Sequence, residues 1–268
     1  MHRILAGDIS LHVQERGTGR PLLLVHGFPL DLTMWHGQVE ELSREFRVIT
    51  PDLRGFGQSD VTPGTVTMEQ YADDLAALLD AMQIDQPVVF CGLSMGGYIA
   101  WQFFARHRLK LAALILCDTR AAADSAEAAA GRLKTANKVL AEGASVVAEA
   151  MLPKLFASVS LTQAIPGVEQ SRQVMLRTSP VGIAAALRGM AARPDFTARL
   201  GTLDLPTLLV GGAEDSIAPP AEMRGIAAAI PGARFIEIPA AGHMAPLEQP
   251  QPVNQAILDF VKGLSSLA

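Results

Sequence analysis

The sequence predicts an α/β fold, a mostly parallel sheet flanked by helices and interrupted by a helical insertion. Three observations carry this. Short apolar runs alternate with helical patterns over the first 120 residues. Between about residues 121 and 195 only helical patterns occur. Strand–helix alternation then returns at Leu205 and continues to the C-terminus. The expected organisation is a core segment over 1–120, a helical insertion over 121–195 and a second core segment over 196–268. No internal repeat interrupts it.

Taken in order, His2–Ala6 and Leu11–Glu15 predict an opening antiparallel pair. Gly17-Thr18-Gly19 turns the chain into a strand at Pro21–Val25. A helix is expected near Met34–Ser43, a strand at Arg47–Thr50 and a helix across Met68–Met82. In that last helix Met68, Tyr71, Ala72, Leu75, Leu78 and Leu79 recur at helical spacing. The strand Val88–Cys91 runs into an abrupt glycine-rich turn and a helix over Met95–His107. Leu111–Cys117 is a further strand. Such unbroken apolar runs suit parallel strands covered on both faces. In the insertion, Pro153, Pro166 and Pro180 are expected to divide the chain into about four helices. The strand Leu205–Val210, a helix from about Pro219 to Ile230, the strand Arg234–Ile238 and a helix from about Pro252 to Leu264 complete the reading.

Composition narrows the function. The chain has 268 residues, 49% of them hydrophobic, enough for a sizeable core. Its apolar runs are far shorter than the roughly 18 residues that span a bilayer. Residues 1–8 lack the apolar stretch of a signal peptide, so a cytoplasmic location is expected and no membrane partner. The net charge is −5 and no basic block occurs, which argues against a nucleic-acid partner. The two cysteines, Cys91 and Cys117, end apolar runs and read as small buried hydrophobes. No Cys/His cluster has metal-ligand spacing, so neither a metal nor another cofactor is expected. No feature specifies an oligomeric state.

The strongest chemical signal is Gly92-Leu93-Ser94-Met95-Gly96, between a strand and a helix. Small residues on either side permit a strained turn that lifts Ser94 above the sheet edge. The helix behind it points its first N–H groups at the reaction centre. A bare serine there would serve as a helix cap; the strand-before, helix-after setting favours a nucleophile. A serine hydroxyl needs a base. Of six histidines, His2 and His12 lie in the opening strands and are expected to face solvent, and His36 and His107 fall in helices. His26 precedes Ser94 and is expected to support its own loop. His243 follows the last strand and alone fits the chain order serine, acid, histidine. The acid is Asp215, after the strand Leu205–Val210, with Asp118, after Leu111–Cys117, as its competitor. Adjacent Glu214 is expected to point elsewhere. Oxyanion donors are expected from the backbone N–H of Met95 and of Phe28, in His26-Gly27-Phe28-Pro29. The Phe28 side chain is also placed to wall a substrate pocket. The stretch Pro51-Asp52-Leu53-Arg54-Gly55-Phe56-Gly57-Gln58-Ser59-Asp60 contains Gly-x-Gly. It has Asp60 where a dinucleotide fingerprint needs glycine, so it reads as a rigid loop beside the oxyanion loop.

Together the motifs HGFP, PDLRGFGQSD, GLSMGG, the Asp215 loop and GHMAPLEQP resemble the α/β-hydrolase superfamily over nearly the whole chain. Within it the sequence is similar to small esterases and lactonases, including 3-oxoadipate enol-lactonases and acyl-homoserine lactonases. The resemblance implies an eight-stranded, mostly parallel sheet with an antiparallel second strand and a helical cap inserted after strand six. It also implies a Ser94–His243–Asp215 triad and a small ester or lactone as substrate. Ser94 sets the chain apart from epoxide hydrolases and haloalkane dehalogenases of this fold, which carry Asp at that position. The reading is therefore a serine carboxylic-ester hydrolase. A cofactor-free perhydrolase or haloperoxidase-like enzyme and an enol-lactone hydrolase share the triad. A non-catalytic ligand receptor is the reading from another class. In the cap, Met151, Leu155, Phe156, Met175, Leu176 and Leu187 are expected to pack against the core rather than line a pocket.

Overall fold

The computed structural model describes residues 1–264. Residues 265–268, part of the C-terminal core segment expected over 196–268, lie outside the described residues. Eight strands form one sheet: β1 (His2–Ala6), β2 (Ile9–Arg16), β3 (Pro21–Val25), β4 (Arg47–Pro51), β5 (Val88–Leu93), β6 (Leu111–Cys117), β7 (Thr207–Gly212) and β8 (Arg234–Ile238). Their spatial order is β1-β2-β4-β3-β5-β6-β7-β8. β2 is antiparallel to both β1 and β4, and the pairs from β4 to β8 are parallel. β3, β5 and β7 are buried along their whole length, and β6 nearly so, which is why they read as unbroken apolar runs. The edge strands β1 and β8 are largely exposed.

Helices cover both faces. On one side lie α2 (Met68–Ala81), α3 (Met95–His107) and α9 (Pro220–Ala229); on the other, α1 (His36–Leu42) and α11 (Pro250–Gly263). The short helix α10 (Ala245–Glu248) precedes α11. The six periodic residues of α2 are all buried, and its Thr67 side chain accepts from the Gln70 N–H, capping the start of the helix. The helix expected near Met34 splits into a 3₁₀ turn at Leu32–Trp35 and α1, because Asp31 caps the turn through the Thr33 N–H.

Between β6 and β7 lie five helices: α4 (Ala126–Glu142), α5 (Ser145–Leu155), α6 (Ser158–Thr162), α7 (Pro166–Arg177) and α8 (Pro180–Ala191). Pro166 and Pro180 open helices at their first position, where a missing N–H costs nothing. Pro153 does not divide the chain. It sits in the last turn of α5, which continues to Leu155 because Val147, Ala148 and Leu155 are buried against the rest of the fold. The break omitted from the expected pattern is Gly143, whose φ of +93° ends α4.

Candidate active site

β5 ends at Leu93 and α3 begins at Met95, so the chain reverses at Ser94 alone. Ser94 has φ +54° and ψ −108°, a backbone state that L-residues rarely adopt and that marks functional turns. The flanking glycines make this turn possible: a Cβ at Gly92 would collide with the Gly96 carbonyl, and one at Gly96 with the Val25 carbonyl. The turn is held from the neighbouring strand. The Ser94 N–H donates to the Cys117 carbonyl at 2.9 Å, and the Thr119 hydroxyl donates to the Ser94 carbonyl at 2.8 Å. The Ser94 side chain makes no capping bond to α3 and is only half-buried.

Asp215 lies in the loop after β7 and His243 in the loop after β8. The His243 Nδ1 is 2.7 Å from Asp215 Oδ2, and both side chains are almost fully buried. Asp215 Oδ1 accepts from the Ile217 N–H (2.7 Å) and the Ala218 N–H (3.0 Å). Burial alone would raise the Asp215 pKa. The bond to His243, the histidine's charge and the two backbone donors outweigh it and hold the carboxyl below its ordinary value. Asp118 does not reach His243. Its N–H donates to Val210 (2.9 Å) and its Oδ1 accepts from the Gly212 N–H (2.8 Å), tying β6 to the end of β7. Glu214 is exposed. Ser94 Oγ and His243 Nε2 make no hydrogen bond to each other here, a contact that tightens only with substrate in many enzymes.

Glu248, in α10, belongs to this assembly, and its position in GHMAPLEQP gave no sign of a role. Its buried carboxylate accepts from the Gly242 N–H at 2.7 Å, beside His243. The other oxygen accepts from the Ala157 N–H (2.8 Å) and the Ser160 hydroxyl (2.6 Å) at the α5–α6 junction. The Met244 N–H also donates to the Leu155 carbonyl. The histidine loop is thus fastened to the helical insertion.

The loop after β3, which carries Phe28, passes Ser94 at Gly27. A Cβ on Gly27 would fall 3.4 Å from the Ser94 Cβ. His26 is fully buried. Its Nδ1 bonds the Gly27 carbonyl and its Nε2 accepts from the Leu53 N–H, both at 3.0 Å. This role was expected. Burial keeps its imidazole pKa below the usual value, so it serves as a neutral support. His12 was expected to face solvent and instead is buried. Its Nδ1 bonds Asp52 Oδ2 at 2.8 Å, because the loop 52–60 folds over that face of β2. Asp52 also accepts from the Leu32 and Gln58 N–H groups, so the Pro51–Asp60 segment is the rigid loop its sequence suggested. The Met95 and Phe28 N–H groups have no protein acceptor among the described residues. As the first N–H of α3, Met95 has no partner within the helix.

An open cavity of about 320 Å³ lies between the Phe28 loop, the helical insertion and Ile217 of the Asp215 loop. Phe28, Val147, Met151, Leu187 and Ile217 form apolar walls, and Arg132 and Lys154 add cations. Two of the six insertion residues expected only to pack, Met151 and Leu187, therefore face space. Leu155, Phe156 and Met175 are buried as expected, and Leu176 is partly exposed. The free thiols of Cys91 and Cys117 are buried 3.9 Å apart, which raises the Cys117 pKa.

Residues 20–250 match the family model of the alpha/beta hydrolase fold. The chain belongs to the alpha/beta-hydrolase family. It is 48% identical to a solved thermophilic esterase from Thermogutta terrifontis in a malate-bound structure, with a TM-score of 0.96 and 98% of each chain covered. The enol-lactonase from Burkholderia xenovorans LB400 is 31% identical with a TM-score of 0.89, covering 96% of this chain and 98% of that one. 3-oxoadipate enol-lactonase 2 of Acinetobacter baylyi is 28% identical over 262 residues, covering 97% of this chain and 96% of the relative. Among the described residues no helix is long and apolar enough to cross a membrane.

Proposed function

We propose that this alpha/beta hydrolase is a serine carboxylic-ester hydrolase acting on small esters or lactones. The observation that carries the reading is the placement of Ser94. It stands in a strained turn at the carboxyl edge of the sheet, the edge that also presents the bonded His243–Asp215 pair. In this reading His243 Nε2 takes the Ser94 proton as Oγ attacks the substrate carbonyl carbon. The carbonyl π electrons move to oxygen, and the Met95 and Phe28 N–H groups hold the resulting oxyanion. Asp215 keeps Nδ1 protonated and stabilises the imidazolium. His243 then gives its proton to the leaving alkoxide as the C–O bond breaks. Water, deprotonated by His243, attacks the acyl carbon; the intermediate collapses as the bond from carbon to Ser94 Oγ breaks, His243 returns its proton to Oγ, and the carboxylic acid leaves.

The apolar walls of the cavity suit an aliphatic or aryl group on one side of the ester, and the named relatives are an esterase and enol-lactonases. The proposed setting is cytoplasmic, with no cofactor. A turnover panel tests the substrate class: short and long aryl esters, γ-lactones and acyl-homoserine lactones, with and without peroxide. The expected result is steady-state release of acid from an ester or lactone, unchanged by chelators. Faster transfer to peroxide than to water would instead support perhydrolysis. Ligand binding without turnover would support a receptor.

A further inference from the structure

Asp118 is a fully buried carboxyl that the proposed chemistry does not use. It follows β6 directly, in a left-handed backbone state with φ +45°. Its two oxygens are unequal. Oδ1 accepts from the Gly212 N–H, whereas Oδ2 receives no donor from any described residue. The neighbouring polar group is the Asp215 carboxylate, which is itself an acceptor. Asp215 in turn accepts two N–H donors, from Ile217 and Ala218, on Oδ1 and bonds His243 through Oδ2, which leaves an acceptor position open on Oδ2. The other titratable group facing Asp118 is the Cys117 thiol, kept protonated by burial and by Cys91; His243 stands beyond Asp215.

Two facing acceptors inside a protein are costly unless one carries a proton. A proton on Asp118 Oδ2 removes the unsatisfied oxygen, the buried charge and the repulsion together. Burial first, then the charge of Asp215, push the Asp118 carboxyl well above the usual range, against the pull of the Gly212 N–H.

We propose that Asp118 is carried as the neutral acid, its Oδ2–H donating to the Asp215 carboxylate, and that it is a positioning residue for the acid loop. Through Oδ1 it fixes Gly212 at the end of β7, and through Oδ2 it fixes Asp215 itself. One negative charge, not two, then faces the His243 imidazole, so the histidine's basicity answers to Asp215 alone. This rests on the reading of Asp215 as the histidine's partner in ester hydrolysis.

Asp118→Asn is the decisive variant. It is neutral, its carbonyl accepts from Gly212 and its amide N–H replaces the donated proton. We expect kcat/KM on an aryl ester within about threefold of wild type and an unchanged acid limb of the pH–rate profile, since a full charge beside an imidazole moves it by about a unit or more. The infrared carbonyl band of a protonated carboxylic acid, present in the wild type at neutral pH, is lost in the variant. Asp118→Ala removes both bonds and lowers kcat roughly tenfold with little change in KM, the size of one average hydrogen bond. Rescue by Asn but not Ala separates positioning from charge. A downward shift of the acid limb by a unit in Asp118→Asn, or no protonated-carboxyl band in the wild type, overturns the proposal. Full activity of Asp118→Ala overturns the positioning role. If Ala does not fold, Asn and the infrared band still decide. Failure of the hydrolase reading looks different: Ser94→Ala keeps its turnover while the Asp118 band remains.

Discussion

Three donors converge on the Asp215 carboxylate, and their arrangement sets what a substitution does there. Asp215→Asn leaves an oxygen for the Ile217 and Ala218 N–H groups, so the loop keeps its shape. Toward His243 it then presents an amide N–H against Nδ1–H in place of a charged acceptor. This removes the stabilisation of the imidazolium and disfavours the productive tautomer. The corresponding change in serine proteases costs about 10⁴-fold. Here kcat on an activated ester is expected to fall on the order of 10²–10⁴-fold with the circular dichroism spectrum unchanged. A loss under tenfold would remove Asp215 from the mechanism. Ser94, Asp215 and His243 stand out in the chain as candidates because the proposed chemistry demands those residue types just past strand ends, in that order, and the fold bonds His243 to Asp215. The sequence prefers Asp215 but keeps Asp118 as a competitor, since both follow strands; in the fold only Asp215 bonds Nδ1 of His243. His12 was misread for a related reason. Its strand pattern is local, while the Asp52 loop that buries it lies 40 residues away.

At the scale of elements, Glu248 couples the helical insertion to the histidine loop. One carboxylate spans Gly242 on one side and Ala157 and Ser160 on the other. Glu248→Ala leaves the Gly242 and Ala157 N–H groups and the Ser160 hydroxyl, all in buried bonds, without their acceptor. Each such group costs about 1–3 kcal/mol unless water replaces the partner. We expect a loss of roughly 2–4 kcal/mol in urea unfolding and a fall in kcat on esters, because the loop holding His243 loosens. An unchanged unfolding midpoint would show that the coupling carries no energy. The helix pattern of the insertion was legible, but its divisions were only partly so. Proline marks a helix start when it stands at the first position, as in α7 and α8, and cannot be told from an interior proline by sequence alone. In α5 the buried Val147, Ala148 and Leu155 decide. Glu248 carried no periodic or compositional signal, since two of its three donors, Ala157 and Ser160, belong to the insertion and are far from it in sequence.

For the whole molecule, the displaced pKa values predict how stability follows pH. Asp118 has a raised carboxyl pKa, so it takes up a proton on folding at pH values between its ordinary value of about 3.8 and the folded-state value. That contribution is complete below about 3.8 and is lost as pH rises toward the folded-state value. His26 has a depressed pKa; its contribution is complete above about 6.5 and is lost as pH falls. Comparing Asp118→Asn with wild type at each pH cancels His26 and all other shared groups. The variant is expected to gain on the wild type by up to about 1.4 kcal/mol per pH unit between pH 5 and 7. Parallel stability curves would mean that folding leaves the Asp118 pKa unmoved. Acylation of Ser94 is read out by rapid-quench mass spectrometry of the protein turning over an aryl ester. One transient acyl adduct is expected on the peptide carrying Ser94, appearing with a burst of released alcohol and absent in Ser94→Ala. An adduct on another residue, or wild-type turnover by Ser94→Ala, would contradict acylation at Ser94.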